Sequence, residues 1–317
     1  MNVLQLEAFL PGCGNISLLS SPTPDEAKQE LEAENPADSN GNLSFGFGGA
    51  LLAPFANRIR GELQPDGKTL VVRANGELLR LTANWKGKNV GAEPHAMHGL
   101  ILKRRMDRFD PQGHRLTAEL LAGDFGGHWP SQTVLRFEAE LEARKFRIRV
   151  LATNVGNDRL PMGIGWHPYF LIPSRQRDQA RLHLPAHDRA IVNNYDDVFP
   201  TGRLEAVRST PYDFNAPEGV PLQNLFLDDC FLSLPMPPIA ELRDPASGYG
   251  MRIVAASSAI RAFQVYAPLD RPFVALEPQY NLGDPFGREW GGRDTGMVWL
   301  NPGQSSAYAV DLELFRA

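Results

Sequence analysis

Residues 132–151 read QTVLRFEAELEARKFRIRVL. In the first half Leu135, Phe137, Ala139 and Leu141 alternate imperfectly with Val134, Arg136, Glu138 and Glu140. In the second half Phe146, Ile148 and Val150 take every other place among Arg147, Arg149 and Leu151. A period of two puts successive side chains on opposite faces of an extended chain, so the two halves read as a hairpin with one apolar face. Similar runs occupy residues 115–121, 249–255, 261–267 and 307–314. Turn signals separate them and no βαβ spacing appears, which predicts an all-β sandwich or barrel-like stack of sheets.

The rest of the composition agrees. The chain of 317 residues carries 29 glycines and 26 prolines, spread so evenly that few long windows escape a helix breaker. The best helical stretch is 24–34 (PDEAKQELEAE), acidic and weakly apolar, inside a polar segment read as a surface insertion over 21–43. No repeat or linker divides the remainder, so residues 1–317 read as a single domain.

Charge and cysteine content exclude several classes. Net charge is −5, and the lysines and arginines are scattered rather than gathered in a stripe, so no nucleic-acid or anionic-membrane surface is expected. No run is long enough for a transmembrane helix. Cys13 and Cys230 make neither a disulfide framework nor a zinc pair, which favours a reducing compartment, and the cytoplasm is the expected location. The lipoprotein-like run 10–13 (LPGC) follows an interrupted apolar stretch containing Glu7 and no basic residue, which argues against a leader. The glycine-rich run 45–49 (FGFGG) lacks the lysine, hydroxyl residue and helix of a phosphate loop.

What stands out is a set of polar residues in apolar or aromatic surroundings: Asn57 and Arg58 in PFANRIRG, His95 and His98 in PHAMHGL, His167 in GWHPYF, Asp228 and Asp229 in LFLDDCFL, and Glu277 in FVALEPQY. Singly, each is more often a surface ion pair, a hydrogen-bonded structural histidine or the start of a turn. Together they imply a site, because burying an ionisable group costs several kcal/mol unless it is paired or shifts its pKa. Trp166, Tyr169, Phe170, Phe231, Tyr266 and Tyr280 would suit the apolar faces of a sugar ring, the charged groups its hydroxyls. A rival reading takes His95, His98 and His167 with a carboxylate as metal ligands, but the two histidines three apart lie in a Pro- and Gly-flanked loop with no helix to align them.

The pattern resembles the aldose 1-epimerase (galactose mutarotase) family. Asn57-Arg58-Ile59 followed by Gly61, His98-Gly99, His167-Pro168-Tyr169-Phe170, Asp228 with Phe231, and Glu277 with Gln279 occur in that family's order. The resemblance implies a large antiparallel β-sandwich of the galactose mutarotase-like type and interconversion of the α and β anomers of a free aldohexose without a cofactor or metal. It implies Glu277 as general base at the C1 hydroxyl, His167 as general acid at the ring oxygen, and His98 as a second donor beside that oxygen. Arg58, Asp228 and Asn57 would hold the monosaccharide's hydroxyls.

The departures (His98-Gly99-Leu100 for the usual HGG, Gly61-Glu62 for a glycine pair, and the run 280–285, YNLGDP, after the glutamate motif) flank the sugar and bear on substrate identity. Three alternatives stay open at this level. A hexose 6-phosphate could be the substrate, with Arg60, Lys86 or Lys88 as phosphate cations. The scaffold could bind sugar without catalysis. Asp228 and Glu277 could cleave glycosides, which requires a particular carboxylate separation.

Overall fold

The computed structural model describes residues 49–317 and, before them, only the paths of two paired strands, Glu7–Leu10 and Gly14–Ser17. The helix expected over 24–34 and the insertion over 21–43 lie outside the described residues. Among the described residues there is no α-helix, only strands and one short 3-10 turn, Arg288–Trp290. No helix there is long and apolar enough to cross a membrane.

Two antiparallel sheets make the body. One has nine strands, in spatial order Val220–Pro221, Arg181–His183, Ile239–Asp244, Tyr249–Ala255, Ser305–Arg316, Lys145–Asn154, Thr133–Glu142, Arg115–Gly123 and Arg108–Gln112. The other runs Pro200–Ala206, Asp188–Val192, Leu227–Leu232, Ala262–Ala267, Phe273–Gln279, Gly165–His167 and Ala50–Leu52, with Tyr169–Leu171 also paired to Phe273–Gln279.

The hairpin read from residues 132–151 is present. Thr133–Glu142 pairs with Lys145–Asn154 from Glu142 opposite Lys145 to Thr133 opposite Asn154, around Ala143 at positive φ. Leu135, Phe137, Phe146, Ile148 and Val150 are buried, while Arg136 and Glu138 face water. The other alternating runs also fall on strands.

The apolar faces of the two sheets meet. Phe146 of the nine-stranded sheet lies against Trp166 of the other, with ring centroids 6.1 Å apart. The hydroxyl of Tyr308 donates to the carbonyl of Pro278 across the same gap at 2.8 Å. One continuous core joins Ile148, Val310 and Leu312 to Phe231, Phe263 and Leu276. This is the sandwich architecture, with interdigitating inner faces. Strand Phe273–Gln279 is buried on both faces almost throughout. Val274 and Leu276 belong to the core, so Ala275, Glu277 and Gln279 point from the opposite face.

Candidate active site

That opposite face carries the site. Strand register sets Gln264 directly across from Glu277, and Tyr266 across from both Asp228 and Ala275. Gly165 is across from Gln279, which places His167, two residues on, beside Glu277 on the same face. One sheet thus delivers Asp228, Gln264, Tyr266, Glu277 and His167 to one surface.

The remaining groups come from a two-stranded ladder in which Arg58–Ile59 pairs with Ala96–Met97. Asn57 and His98 flank it, both at positive φ (61° and 62°), joined by a hydrogen bond of 2.9 Å from the His98 amide to the Asn57 carbonyl. Non-glycine residues in this region cost energy and persist where surrounding structure demands them. All six expected site residues, Asn57, Arg58, His98, His167, Asp228 and Glu277, line one cavity of about 350 Å³.

Four of the lining residues form a closed hydrogen-bonded ring. Asn57 Nδ2 donates to Gln264 Oε1 at 3.0 Å, and Gln264 Nε2 donates to Asp228 Oδ1 at 2.6 Å. Arg58 Nη2 reaches Asp228 Oδ2 at 3.5 Å, and its Nη1 donates to Asn57 Oδ1 at 3.2 Å. Burial pushes the Asp228 carboxyl up, and Arg58 and Gln264 oppose that shift.

Deeper in the cavity His167 Nε2 lies 3.2 Å from Glu277 Oε1. Glu277 Oε2 is buried and has no hydrogen-bond partner among the described residues. Burial, reinforced by the negative charge of Asp228, holds the Glu277 carboxyl well above the usual carboxylate range. Burial, helped by the Arg58 charge, lowers the His167 imidazole to about 3. Both partners therefore favour their neutral forms, and the pair holds one proton between two atoms. The His98 ring stands edge-on to His167 at 5.0 Å, and the Tyr169 ring stacks on His167 at 4.8 Å.

Several sequence expectations need correction. Trp166, Phe170, Phe231 and Tyr280 belong to the inter-sheet core and do not face the cavity; Tyr169 and Tyr266 do. Alternation is the reason: Trp166 precedes His167 on the strand Gly165–His167 and so points to the opposite side. His95 also stays out of the cavity, its ring edge-on to Phe199 at 4.8 Å and its Nδ1 2.9 Å from the Glu93 carbonyl. Among the described residues no three His, Cys, Asp or Glu side chains are placed to hold a metal ion.

Asp229, next to Asp228, faces away and pairs with Arg189 and the Tyr195 hydroxyl. Arg60 is engaged with Asp284 and Glu289, each at 2.8 Å, whereas Lys86 and Lys88 line the cavity mouth. Sequence reasoning missed Gln264. Its signal was the same as for Glu277, a polar side chain set in an apolar strand (AFQVYA).

The comparisons with known proteins agree with this fold. The family model for aldose 1-epimerase matches residues 18–313. The chain belongs to the aldose 1-epimerase family. Among solved structures, an aldose epimerase homologue from Caenorhabditis elegans superposes with a TM-score of 0.73 at 18% identity, covering 100% of this chain and 93% of that one. A putative aldose 1-epimerase from Escherichia coli K12 gives 0.69 at 18% identity, covering 96% and 95%. A galactose 1-epimerase from Lactobacillus acidophilus gives 0.64 at 17% identity, covering 95% and 86%. No curated protein matches the chain in sequence.

Proposed function

We propose that this protein is an aldose 1-epimerase that interconverts the α and β anomers of a free aldohexose of the glucose or galactose type. The observation that carries the reading is the Glu277–His167 pair, 3.2 Å apart and buried beneath a ring of hydroxyl-binding groups.

The chemistry of a hemiacetal matches such a pair. Ring opening removes a proton from the C1 hydroxyl and supplies one to the ring oxygen, and both oxygens sit on the same carbon. Two groups in direct contact, sharing one proton, can address both at once. A sugar hydroxyl donating to Glu277 stabilises its carboxylate form and shifts the shared proton to His167 Nε2. Glu277 then takes the proton from O1 while the imidazolium gives its proton to the ring oxygen, and the C1–ring-oxygen bond breaks to give the aldehyde. Rotation about C1–C2 presents the other carbonyl face. On closure the hydroxyl that was the ring oxygen returns its proton to His167, and Glu277 returns the other to O1, which restores the pair. His98 supplies a second polar group beside the ring oxygen. Asn57, Arg58 and Asp228 hold the remaining hydroxyls, so that the C1 centre stays on the pair during rotation.

The test is polarimetry on freshly dissolved α-D-glucose and α-D-galactose, with an anomer-specific coupled assay for a hexose 6-phosphate alongside. Acceleration in proportion to enzyme with a free hexose supports the reading. Acceleration of the phosphate alone would replace the substrate, and no acceleration of any sugar would overturn the activity.

A further inference from the structure

A second cavity, of about 230 Å³, lies behind the site, and residues 96–99 divide the two. Met97 and His98 line the site, whereas Ala96 and Gly99 line the second cavity. Its charged side comes from Lys103, Arg104 and His128, and its apolar side from the buried Leu102 and Phe125.

The charge of this lining runs against that of the chain, which is −5. Lys103 and Arg104 line the cavity, and among the described residues no carboxylate does. The acids that follow in sequence accept from the main chain instead. Asp107 Oδ2 takes the Leu121 amide at 2.7 Å, and Asp124 Oδ1 takes the Gly127 amide at 2.9 Å. Arg104 donates through Nη2 to the Leu121 carbonyl at 3.3 Å, which holds the guanidinium in place without neutralising it. His128 Nδ1 contacts the Arg80 carbonyl, so Nδ1 is the donor and Nε2 is left to a ligand. Like charges gathered in one concave lining repel, and a bound anion offsets that cost.

We propose that this cavity binds a phosphate group, free or carried on a small molecule, and is an effector site for the reaction beyond residues 96–99. The binding claim stands apart from the epimerase reading; the effect on rate rests on it. Phosphate suits the donors, since Arg104 offers a planar fork, Lys103 a point charge and Thr82 a hydroxyl. The volume is below the roughly 300–1,000 Å³ of pockets that enclose drug-sized ligands, which fits a compact anion.

Two links join this cavity to the reacting histidines. Asn84 clasps the Met97 main chain, accepting its amide at 2.7 Å and donating to its carbonyl at 3.0 Å. Leu102 shares a small apolar cluster with Ala50, which stands opposite His167 in the strand pairing. An anion drawn onto Lys103 and Arg104 therefore acts on a segment that starts at His98 and packs on the strand facing His167.

Calorimetry with inorganic phosphate and with glycerol 3-phosphate tests the site, with ionic strength held constant by sodium chloride. Saturable binding is expected, weakened about tenfold or more by Lys103→Ala and by Arg104→Gln. Lys103 is exposed, and an unchanged urea midpoint for Lys103→Ala separates lost binding from lost fold. Lys86→Ala and Lys88→Ala, at the mouth of the other cavity, should leave the phosphate affinity unchanged. Tighter binding of the ester would support the site with a phosphorylated metabolite as its ligand, and equal binding would support it with phosphate itself. No binding, or binding kept in Lys103→Ala and lost in Lys86→Ala or Lys88→Ala, would overturn the site. Saturating phosphate should change kcat/KM for the preferred hexose about fivefold, and Lys103→Ala should abolish the change. An unchanged rate with the site filled would overturn the effector role. If no sugar is turned over, the epimerase reading fails by itself and the effector role falls with it, while calorimetry still decides the site.

Discussion

His167 Nε2 and Glu277 Oε1 are 3.2 Å apart, with side chains only 5% and 3% exposed. The two residues are 110 positions apart in the chain, yet strand pairing alone makes them neighbours, through Gly165 opposite Gln279. In this buried position both groups favour their neutral forms, a state that suits the proposed ring opening.

The hydrogen-bonded ring of Asn57, Gln264, Asp228 and Arg58 predicts a defect in binding rather than chemistry. Asp228→Asn keeps the shape and removes the charge that faces Arg58 and accepts from Gln264. KM should rise by about 10- to 100-fold, corresponding to about 1.5–3 kcal/mol for hydrogen bonds to a charged group, with a smaller change in kcat. Steady-state polarimetry checks this. A fall in kcat with KM unchanged would place Asp228 in the proton transfers.

Asp284 predicts a second, indirect effect. Its carboxylate accepts both the amide and Nε of Arg60, at 2.9 and 2.8 Å, and its own amide donates to the Arg58 carbonyl at 2.6 Å. It is a positioning residue for the Arg58–Arg60 segment. Asp284→Asn should cost about 1.5–3 kcal/mol in urea unfolding and raise KM more than it lowers kcat. Unchanged stability and unchanged KM would remove it from that role.

Much of this was legible in the sequence. Alternation placed the hairpin at residues 132–151 and the strands around 115–121, 249–255, 261–267 and 307–314, because a half-buried strand writes its two faces directly into the residue order. The same logic drew attention to Glu277, His167 and Asp228 as polar residues where apolar ones were due. Alternation without register does not say which face is which, and so Trp166 and Phe170 looked like neighbours of a sugar although they fill the core. The ring that includes Gln264 depends on two strands and a separate two-stranded ladder meeting, which no local pattern encodes.

The glycine after His98 has no substitute. Gly99 sits at φ 78°, and a Cβ there would run into the main chain of Ala53, whose carbonyl accepts the Leu100 amide at 2.7 Å. Gly67 has a similar φ of 69° but nothing within 4 Å. Gly67→Ala should therefore cost about 1 kcal/mol from conformation alone, and Gly99→Ala about 2 kcal/mol or more beyond that, with loss of activity as His98 moves. Urea unfolding of the two variants gives the comparison, and equal costs would contradict it.

Acid stability follows from the buried histidines. Burial lowers the His95 imidazole to about 4. Between that value and the ordinary value of about 6.5, the unfolded chain binds a proton that the folded chain does not, so the contribution is complete above about 6.5 and is lost as pH falls. His167 acts in the same direction down to about 3, whereas Glu277, raised by burial, keeps a proton in the folded state above its ordinary value and opposes them. Removing one histidine should flatten the slope of unfolding free energy by about 1.4 kcal/mol per pH unit. Urea unfolding of the parent and His95→Gln at several pH values from 6.5 to 4.5 measures it. Parallel profiles would show that His95 does not carry the proton linkage.

The most direct measurement is the polarimetric rate of α-D-glucose and α-D-galactose mutarotation with Glu277→Gln, which preserves the shape of the side chain and removes the base. If Glu277 takes the C1 hydroxyl proton, kcat should fall by about 10²- to 10⁴-fold while the urea unfolding midpoint shows an intact fold. A folded Glu277→Gln variant that retains the parent's rate would contradict the account.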